Sequence, residues 1–102
     1  MALDMDVKEE GGTVTIRLPQ EFNYSCHTAF YAAYRNRAKT LRYVVDMTRT
    51  NTIDSAGLGL LINLQHYVGE DKSRVKLIVQ SDYVKSVMTV TNFANLFTIE
   101  YR

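Results

Sequence analysis

The amino-acid sequence predicts an α/β domain, in which helices pack on a mixed, mostly parallel β-sheet that begins with a β-hairpin. Three observations predict this class. Two short strand patterns flank a Gly-Gly pair, apolar strand patterns then alternate with helical patterns, and the helical patterns start at residues that cap helices well. The predicted order is β-β-α-β-α-β-α-β. Strands that alternate with helices are typical of parallel neighbours joined by right-handed crossovers.

The hairpin is predicted from residues 5–10 (MDVKEE) and 13–18 (TVTIRL), which alternate weakly in polarity around Gly11 and Gly12. Pro19 ends the second strand, since proline cannot donate to a sheet ladder. Three further strands are predicted from short apolar runs, at residues 42–47, 75–79 and 97–101.

Apolar residues near a 3.6-residue period predict three helices, at residues 26–39, 56–68 and 83–91. Ser25 is the expected cap of the first helix, and Ser81 or Asp82 that of the third. Gly69 suits the position just after the second helix, where a left-handed backbone is common.

Length and composition predict one domain over residues 1–102. Apolar residues make up 46% and charged residues 23% of the sequence, the balance of an ordinary globular protein. The 12 basic and 11 acidic side chains leave a net charge of +1, far from the basic excess typical of nucleic-acid binding. The sequence has no apolar run of membrane-spanning length and no signal-peptide pattern. We therefore expect a soluble cytoplasmic protein that binds neither nucleic acid nor membrane.

The sequence predicts neither a metal site nor a cofactor. Cys26 is the single cysteine, so no internal disulfide can form. Cys26, His27 and His66 lack the spacing of metal ligands. No Gly-Lys-Ser/Thr follows the glycines at 57 and 59, as a phosphate-binding loop would require.

The segment TIDSAGLGLL, residues 52–61, places Asp54 and Ser55 before two glycines at the start of the predicted second helix. Gly57 and Gly59 each cost a helix about 1 kcal/mol relative to alanine. A structural interpretation is that Asp54 or Ser55 caps the helix and that glycine lets it pack closely on the sheet. A functional interpretation is that Ser55 is phosphorylated, because a helix N-terminus tolerates a phosphate whose charge would oppose a docking partner.

A catalytic role for Ser55 is not predicted. Ile53 stands where the Gly-x-Ser-x-Gly pattern of hydrolases requires its first glycine. Nothing in the sequence places His27 or His66 beside Ser55 to activate its hydroxyl. We therefore expect a binding protein and not an enzyme.

The sequence resembles STAS domains, the family of bacterial anti-sigma factor antagonists (anti-anti-sigma factors). The most specific part is VVDMTRTNTIDSAGLGLLINL, residues 44–64, which resembles the family's strand, polar loop, Asp-Ser turn and leucine-rich helix. LPQEFNYSCHTAF and NFANLFTIEY resemble the segments around the first helix and before the last strand. The resemblance covers nearly the whole chain and implies the STAS fold.

The resemblance implies partner switching in the control of transcription. The unphosphorylated antagonist binds an anti-sigma factor that is often a serine protein kinase, which then phosphorylates the serine of the turn and releases it. A metal-dependent serine phosphatase restores the binding form. Carried onto this chain, Ser55 is the phosphorylated residue, and the partner-binding residues are Phe22, Asn23, Tyr24, Ser25, Asp54, Ala56, Gly57 and Leu58.

The sequence departs from the family pattern at three places. Asn23 stands where many members have aspartate, and Ala56 replaces a second serine, which leaves one hydroxyl in the turn. Many relatives continue into a further helix beyond the position of Arg102. We therefore expect one face of the sheet to be less covered and to expose apolar surface for self-association or a partner. The oligomeric state is left open.

Two other functions remain open at this point. Short STAS domains also accompany ABC-type lipid or solute transporters, where the same helix docks on the ATPase without phosphorylation. The breadth of the family also leaves room for a sensor of nucleotides or other small ligands. The sequence favours the anti-sigma factor antagonist.

Overall fold

A computed structural model describes residues 5–102, so the first four residues of the predicted domain lie outside the described part. The strands are β1 (Asp6–Glu10), β2 (Thr13–Arg17), β3 (Glu21–Phe22), β4 (Arg42–Met47), β5 (Thr52–Ile53), β6 (Val75–Val79) and β7 (Thr98–Tyr101). The helices are α1 (His27–Tyr34), α2 (Ser55–Tyr67) and α3 (Asp82–Val90), with 3-10 turns at Tyr24–Cys26, Lys72–Arg74 and Phe93–Asn95. The predicted α/β class and element order are confirmed, and β3 and β5 are additions to it.

The main sheet has the strand order β1-β2-β4-β6-β7. The hairpin strand β1 is antiparallel to β2, and every other neighbouring pair in this sheet is parallel. From β2 onward, each helical connection leads to the neighbouring strand of the sheet, and all three connections run in the same direction across it. Because such connections are right-handed, all three helices belong on one face.

The burial pattern agrees with a one-sided helical layer. Every second side chain of the three central strands is fully buried beneath the helices. These side chains are Val14, Ile16, Tyr43, Val45, Met47, Val75, Leu77 and Val79. Leu61, Leu64, Phe30 and Met88 close the core from the helical side. The domain is therefore a sheet with one covered face, held together by apolar burial between two layers.

The opposite face of the sheet, here called the open face, is polar. By strand register it carries mainly threonines and charged residues: Lys8, Glu10, Thr13, Thr15, Arg17, Arg42, Asp46, Lys76, Thr98 and Glu100. Its apolar members in the central strands, Val44 and Ile78, are only partly exposed. The expectation that this face exposes apolar surface is therefore wrong, because threonines and charges occupy its alternate positions.

Helix α1 ends at Tyr34 and not near residue 39, since groups distant in sequence bind the backbone beyond it. The Tyr67 hydroxyl donates to the carbonyls of Arg35 and Arg37, at 3.2 and 2.5 Å. The Tyr43 hydroxyl donates to the carbonyl of Ala38 at 3.0 Å. These bonds satisfy carbonyls that a longer helix would use itself, so tertiary packing sets the helix end.

The other two helices lie close to their predicted bounds. Ser81 caps α3 by accepting a hydrogen bond from the amide of Val84 at 3.4 Å. Gly69 follows the cap of α2 with φ +85°, as predicted for that position. The cap of the first helical segment differs, however, because Asn23 and not Ser25 supplies it.

Candidate functional site

The site is built on the N-terminus of α2, at the carboxyl end of the parallel strands. Asp54 is extended and caps the helix, its Oδ1 accepting a hydrogen bond from the amide of Gly57 at 2.8 Å. Ser55 is the first helical residue and is exposed. Among residues 5–102 its hydroxyl has no hydrogen-bond partner. The helix is thus capped by the neighbour of Ser55, which leaves the serine oxygen free at the positive end of the helix.

A second loop is tied against this helix tip. Strands β3 and β5 pair in parallel, with Glu21 opposite Thr52 and Phe22 opposite Ile53. The buried Thr50 hydroxyl donates to the carbonyl of Pro19 at 2.8 Å. The loop after β2 therefore lies beside the loop after β4, although the two are about 30 residues apart in sequence.

Gly57 permits the close contact between this loop and α2. A Cβ atom at position 57 would collide with the carbonyl oxygen of Phe22 and lie 2.9 Å from Cγ1 of Ile53. The structural interpretation of a glycine that allows close packing is therefore correct for Gly57, although the close neighbour is β3 and not the main sheet. A Cβ atom at Gly59 would meet nothing within 4 Å, so packing does not require the second glycine.

The turn at residues 23–25 forms the rim of the tip. Asn23 Oδ1 accepts hydrogen bonds from the amide and the hydroxyl of Ser25, at 2.9 and 2.5 Å. This Asx-type turn holds the segment in shape. The ring of Tyr24, 70% exposed, stacks on the imidazole of His27 at 5.6 Å. Large exposed aromatic side chains of this kind are enriched in surfaces that bind other proteins.

The structure brings the predicted site residues to one edge, but not all of their side chains reach the surface. Asp54, Ser55, Tyr24 and Ser25 are exposed, and Asn23, Ala56 and Leu58 are partly exposed. Phe22 is fully buried, packed edge to face on Phe30 at 5.2 Å, and Gly57 is buried as well. The prediction that Phe22 and Gly57 offer side-chain contacts to a partner is therefore corrected. The Phe22 side chain faces the core, and the close contact between the two residues supports the tip from the interior.

Two residues that assemble this edge, Arg49 and Thr50, have no signal in the sequence pattern. Thr50 is fully buried, and the Arg49 Nε donates to the carbonyl of Leu18 at 2.8 Å. Both sit in a polar loop with no periodicity, so no local pattern marks them. The signal that could have found them is the expectation that buried backbone carbonyls need donors.

A serine becomes a strong nucleophile when a neighbouring base activates its hydroxyl. Within residues 5–102, neither His27 nor His66 bonds to Ser55; His66 instead pairs with Glu70 at 3.0 Å. No cluster of metal-ligating side chains is found in the described part of the chain. No described helix combines the length and hydropathy needed to cross a membrane.

A family model and a known relative each match nearly the whole of this chain. The family model described as "Mlab, STAS domain" matches residues 5–98. A STAS-domain containing protein of Pseudomonas aeruginosa (strain UCBPP-PA14) is 32% identical over 100 residues, which cover 97% of this chain and 99% of that protein.

Two solved structures share the fold. An anti-sigma factor antagonist from Mycobacterium paratuberculosis has a TM-score of 0.80 at 14% identity, over 97% of this chain and 86% of that one. The anti-sigma factor antagonist SpoIIAA, in its unphosphorylated form, has a TM-score of 0.69 at 19% identity, over 93% and 86% of the two chains. At these identities the likeness establishes a common fold.

Proposed function

This chain belongs to the STAS domain family, and we propose that it is an anti-sigma factor antagonist controlled by phosphorylation of Ser55. In this proposal the unphosphorylated protein binds an anti-sigma factor that is also a serine protein kinase. The kinase uses ATP to phosphorylate Ser55, the complex dissociates, and a metal-dependent serine phosphatase reverses the modification. The domain itself acts in the bacterial cytoplasm as a binding module without catalysis.

One observation carries the proposal: the Ser55 hydroxyl is exposed and unbonded within the described residues, while Asp54 caps the helix. A kinase can therefore reach the oxygen without unfolding the domain. The helix N-terminus favours the negative charge that a phosphate brings. Phosphorylation is thus expected to leave the fold intact and to act on the surface.

The same phosphate opposes docking. It adds a charge of about −1.5 to −2 at neutral pH next to the carboxylate of Asp54. The neighbouring surface offers small or apolar contacts, such as Ala56, the open space at Gly59 and the ring of Tyr24. A partner that covers this tip would have to desolvate two adjacent anions, and binding would weaken.

The fold supports the proposal, since the solved structures that share it include anti-sigma factor antagonists. The test uses the intact chain and each anti-sigma kinase encoded in its genome. Ser55→Ala should bind the kinase in the presence of ATP as it does without ATP, whereas Ser55→Asp should weaken binding. Ser86→Asp is the matched control, because Ser86 is an exposed serine on α3 whose hydroxyl bonds the carbonyl of Tyr83.

Two results would contradict the proposal. One is equal binding of Ser55→Asp and the unmodified protein to every such kinase. The other is a peptide map of residues 50–72 from native cells, with the phosphatase deleted, that carries no phosphate on Ser55. Co-purification with a transport ATPase and permease, without a phosphorylated form, would point to a transporter subunit instead.

A further inference from the structure

A cleft lies between α1 and α2, and its lining residue His27 adjoins Tyr24 on the rim of the tip. It has a volume of ≈ 380 Å³ and is lined by His27, Tyr31, Tyr34, Asn63, His66 and Tyr67. This volume lies in the range of small-molecule sites, which are mostly apolar with a few polar groups. Ser55 and Asn63 are eight residues apart on one helix, a rise of about 12 Å. This wall of the cleft therefore lies about two helical turns from Ser55 along α2.

The walls of the cleft are aromatic rings in fixed contact with one another. The ring of Tyr34 lies 5.5 Å from that of Tyr31 in a T-shaped arrangement, and 5.0 Å from that of Tyr67. Tyr67 is held in place because its hydroxyl bonds the carbonyls of Arg35 and Arg37. Flat groups gain most from stacking and edge contacts with such rings.

Tyr34 has a polar group that the protein leaves unpaired. Its side chain is 3% exposed, and its hydroxyl makes no hydrogen bond among the described residues. Burial, followed by the nearby Tyr31 and Tyr67 hydroxyls, raises the pKa of Tyr34 to about 12. The group therefore remains a hydrogen-bond donor at neutral pH. The Tyr34 oxygen is not among the fully buried atoms without a partner, where the described residues have Gln65 Oε1 alone, so it is accessible from the cleft that Tyr34 lines.

The charges around the cleft are mostly positive. Arg35 is the C-cap residue of α1, four residues after Tyr31, and Lys39 Nζ lies 5.2 Å from the centre of the Tyr67 ring. Neither cation is in an ion pair with a described residue. The acids nearby are engaged, Glu9 by Arg37 at 2.5 Å and Glu70 by His66 at 3.0 Å.

We propose that this cleft binds a small planar aromatic anion. Its ring lies against Tyr31 and Tyr67, and an oxygen of its carboxylate or phosphate accepts a hydrogen bond from the Tyr34 hydroxyl. Arg35 and Lys39 attract the negative charge. The site goes beyond the proposed function, because its occupation requires neither Ser55 nor a protein partner.

The test titrates the intact chain with 2-naphthoate and 2-naphthyl phosphate, and with the uncharged 2-naphthamide as the matched ligand. Binding is followed by calorimetry and by backbone amide shifts in NMR spectra. At least one anion should saturate the cleft with a Kd of about 1 mM or tighter. 2-Naphthamide should bind about three- to tenfold more weakly than the anion that binds best. The anion with the higher affinity shows whether the cleft prefers a carboxylate or a phosphate.

Variants separate this site from unspecific binding. Tyr34→Phe removes the free hydroxyl and should weaken anion binding by about three- to tenfold without lowering Tm, because that hydroxyl has no partner in the described residues. Tyr31→Ala should weaken binding to a similar extent. Tyr83→Ala is the matched control, since Tyr83 is 55% exposed on α3 and Tyr31 is 48% exposed. Ser55→Ala should bind the anions unchanged.

Three results would overturn the proposal. The first is a lack of saturation by either anion up to about 10 mM. The second is a set of backbone NMR shift changes that map outside α1 and α2. The third is anion binding by Tyr34→Phe with the affinity of the unmodified protein. None of them bears on phosphorylation of Ser55, so this inference and the proposed function stand or fall separately.

Discussion

Gly57 and the carbonyl oxygen of Phe22 approach so closely that no Cβ atom fits between them. Gly57 belongs to the first turn of α2, and Phe22 to the short strand β3 that follows the hairpin. The contact lets the loop of β3 pack directly against the start of α2. It also explains why a leucine-rich helix begins with a residue that weakens helices.

The two glycines of α2 are predicted to respond oppositely to alanine. Gly57→Ala should lower the free energy of unfolding by about 1–3 kcal/mol, because the methyl group collides with Phe22 and Ile53. Gly59→Ala should raise it by up to about 1 kcal/mol, since that position has free space and alanine favours helix. Urea unfolding followed by circular dichroism measures both. Equal effects of the two substitutions would contradict the packing argument.

Asp54 is predicted to stabilise α2 through its cap. Asp54→Ala should cost about 1 kcal/mol of unfolding free energy, because the amide of Gly57 loses its 2.8 Å acceptor. Asp54→Asn keeps an acceptor and should cost less. Ser81→Ala on α3 serves for comparison, and its longer 3.4 Å bond predicts a smaller loss than that of Asp54→Ala. The opposite order in thermal unfolding would show that Asp54 is not the main cap.

Two tyrosines of the cleft are predicted to differ when their hydroxyls are removed. Tyr67→Phe should lower the unfolding free energy by about 1 kcal/mol, because the carbonyls of Arg35 and Arg37 lose a donor. Tyr34→Phe should leave it unchanged or slightly raised, since the Tyr34 hydroxyl is unpaired in the described part of the chain. Amide hydrogen exchange at the end of α1 should quicken only in Tyr67→Phe. Matching losses in both variants would refute this assignment.

The carboxylate of Glu100, on the open face, is predicted to raise the free energy of unfolding at neutral pH and to lose this contribution in acid. Hydrogen bonds first from Lys76, at 2.7 Å, and then from Arg102, at 2.6 Å, hold the pKa of Glu100 below its ordinary value of 4.5. The folded state therefore binds this proton less readily than the unfolded state. Its stabilising contribution is present above the unfolded-state pKa and is lost as the pH falls through the folded-state pKa.

Glu100→Gln should accordingly flatten the fall in unfolding free energy below pH 4.5. The difference from the unmodified protein should shrink in high salt, because these side chains are at least partly exposed to solvent. Glu10→Gln is the control, since Glu10 pairs only loosely with Lys8, at 3.8 Å. An unchanged acid limb in Glu100→Gln would contradict the prediction.

The elements with strong local patterns could be predicted from the sequence. The strand at 75–79 and the helix from Ser55 lie within a residue of their predicted bounds, because apolar periodicity reports burial directly. Strands β3 and β5 could not be predicted, since each has only two residues and exists through pairing with the other. The early end of α1 likewise depends on Tyr67, which lies more than 30 residues away.

The position of the candidate site could be predicted from the sequence, whereas the contacts of the residues around it could not. Asp54 and Ser55 follow from the capping pattern, and their exposure agrees with it. The sequence predicts Ser25 as the cap that Asn23 provides, because both residues suit that place and only the backbone distinguishes them. The free hydroxyl of Tyr34 has no signature in sequence, since a tyrosine on an apolar stripe normally finds a partner.

The one-sided layering also gives the domain a natural handle. Cys26 is the chain's single cysteine and is fully buried, so a thiol placed at Lys8 on the open face would be the reactive one. A dye or a bead attached there would sit behind the sheet, with the serine tip and the tyrosine cleft both turned toward the solution. Immobilised this way, one preparation could report a protein partner and a small anion in the same experiment.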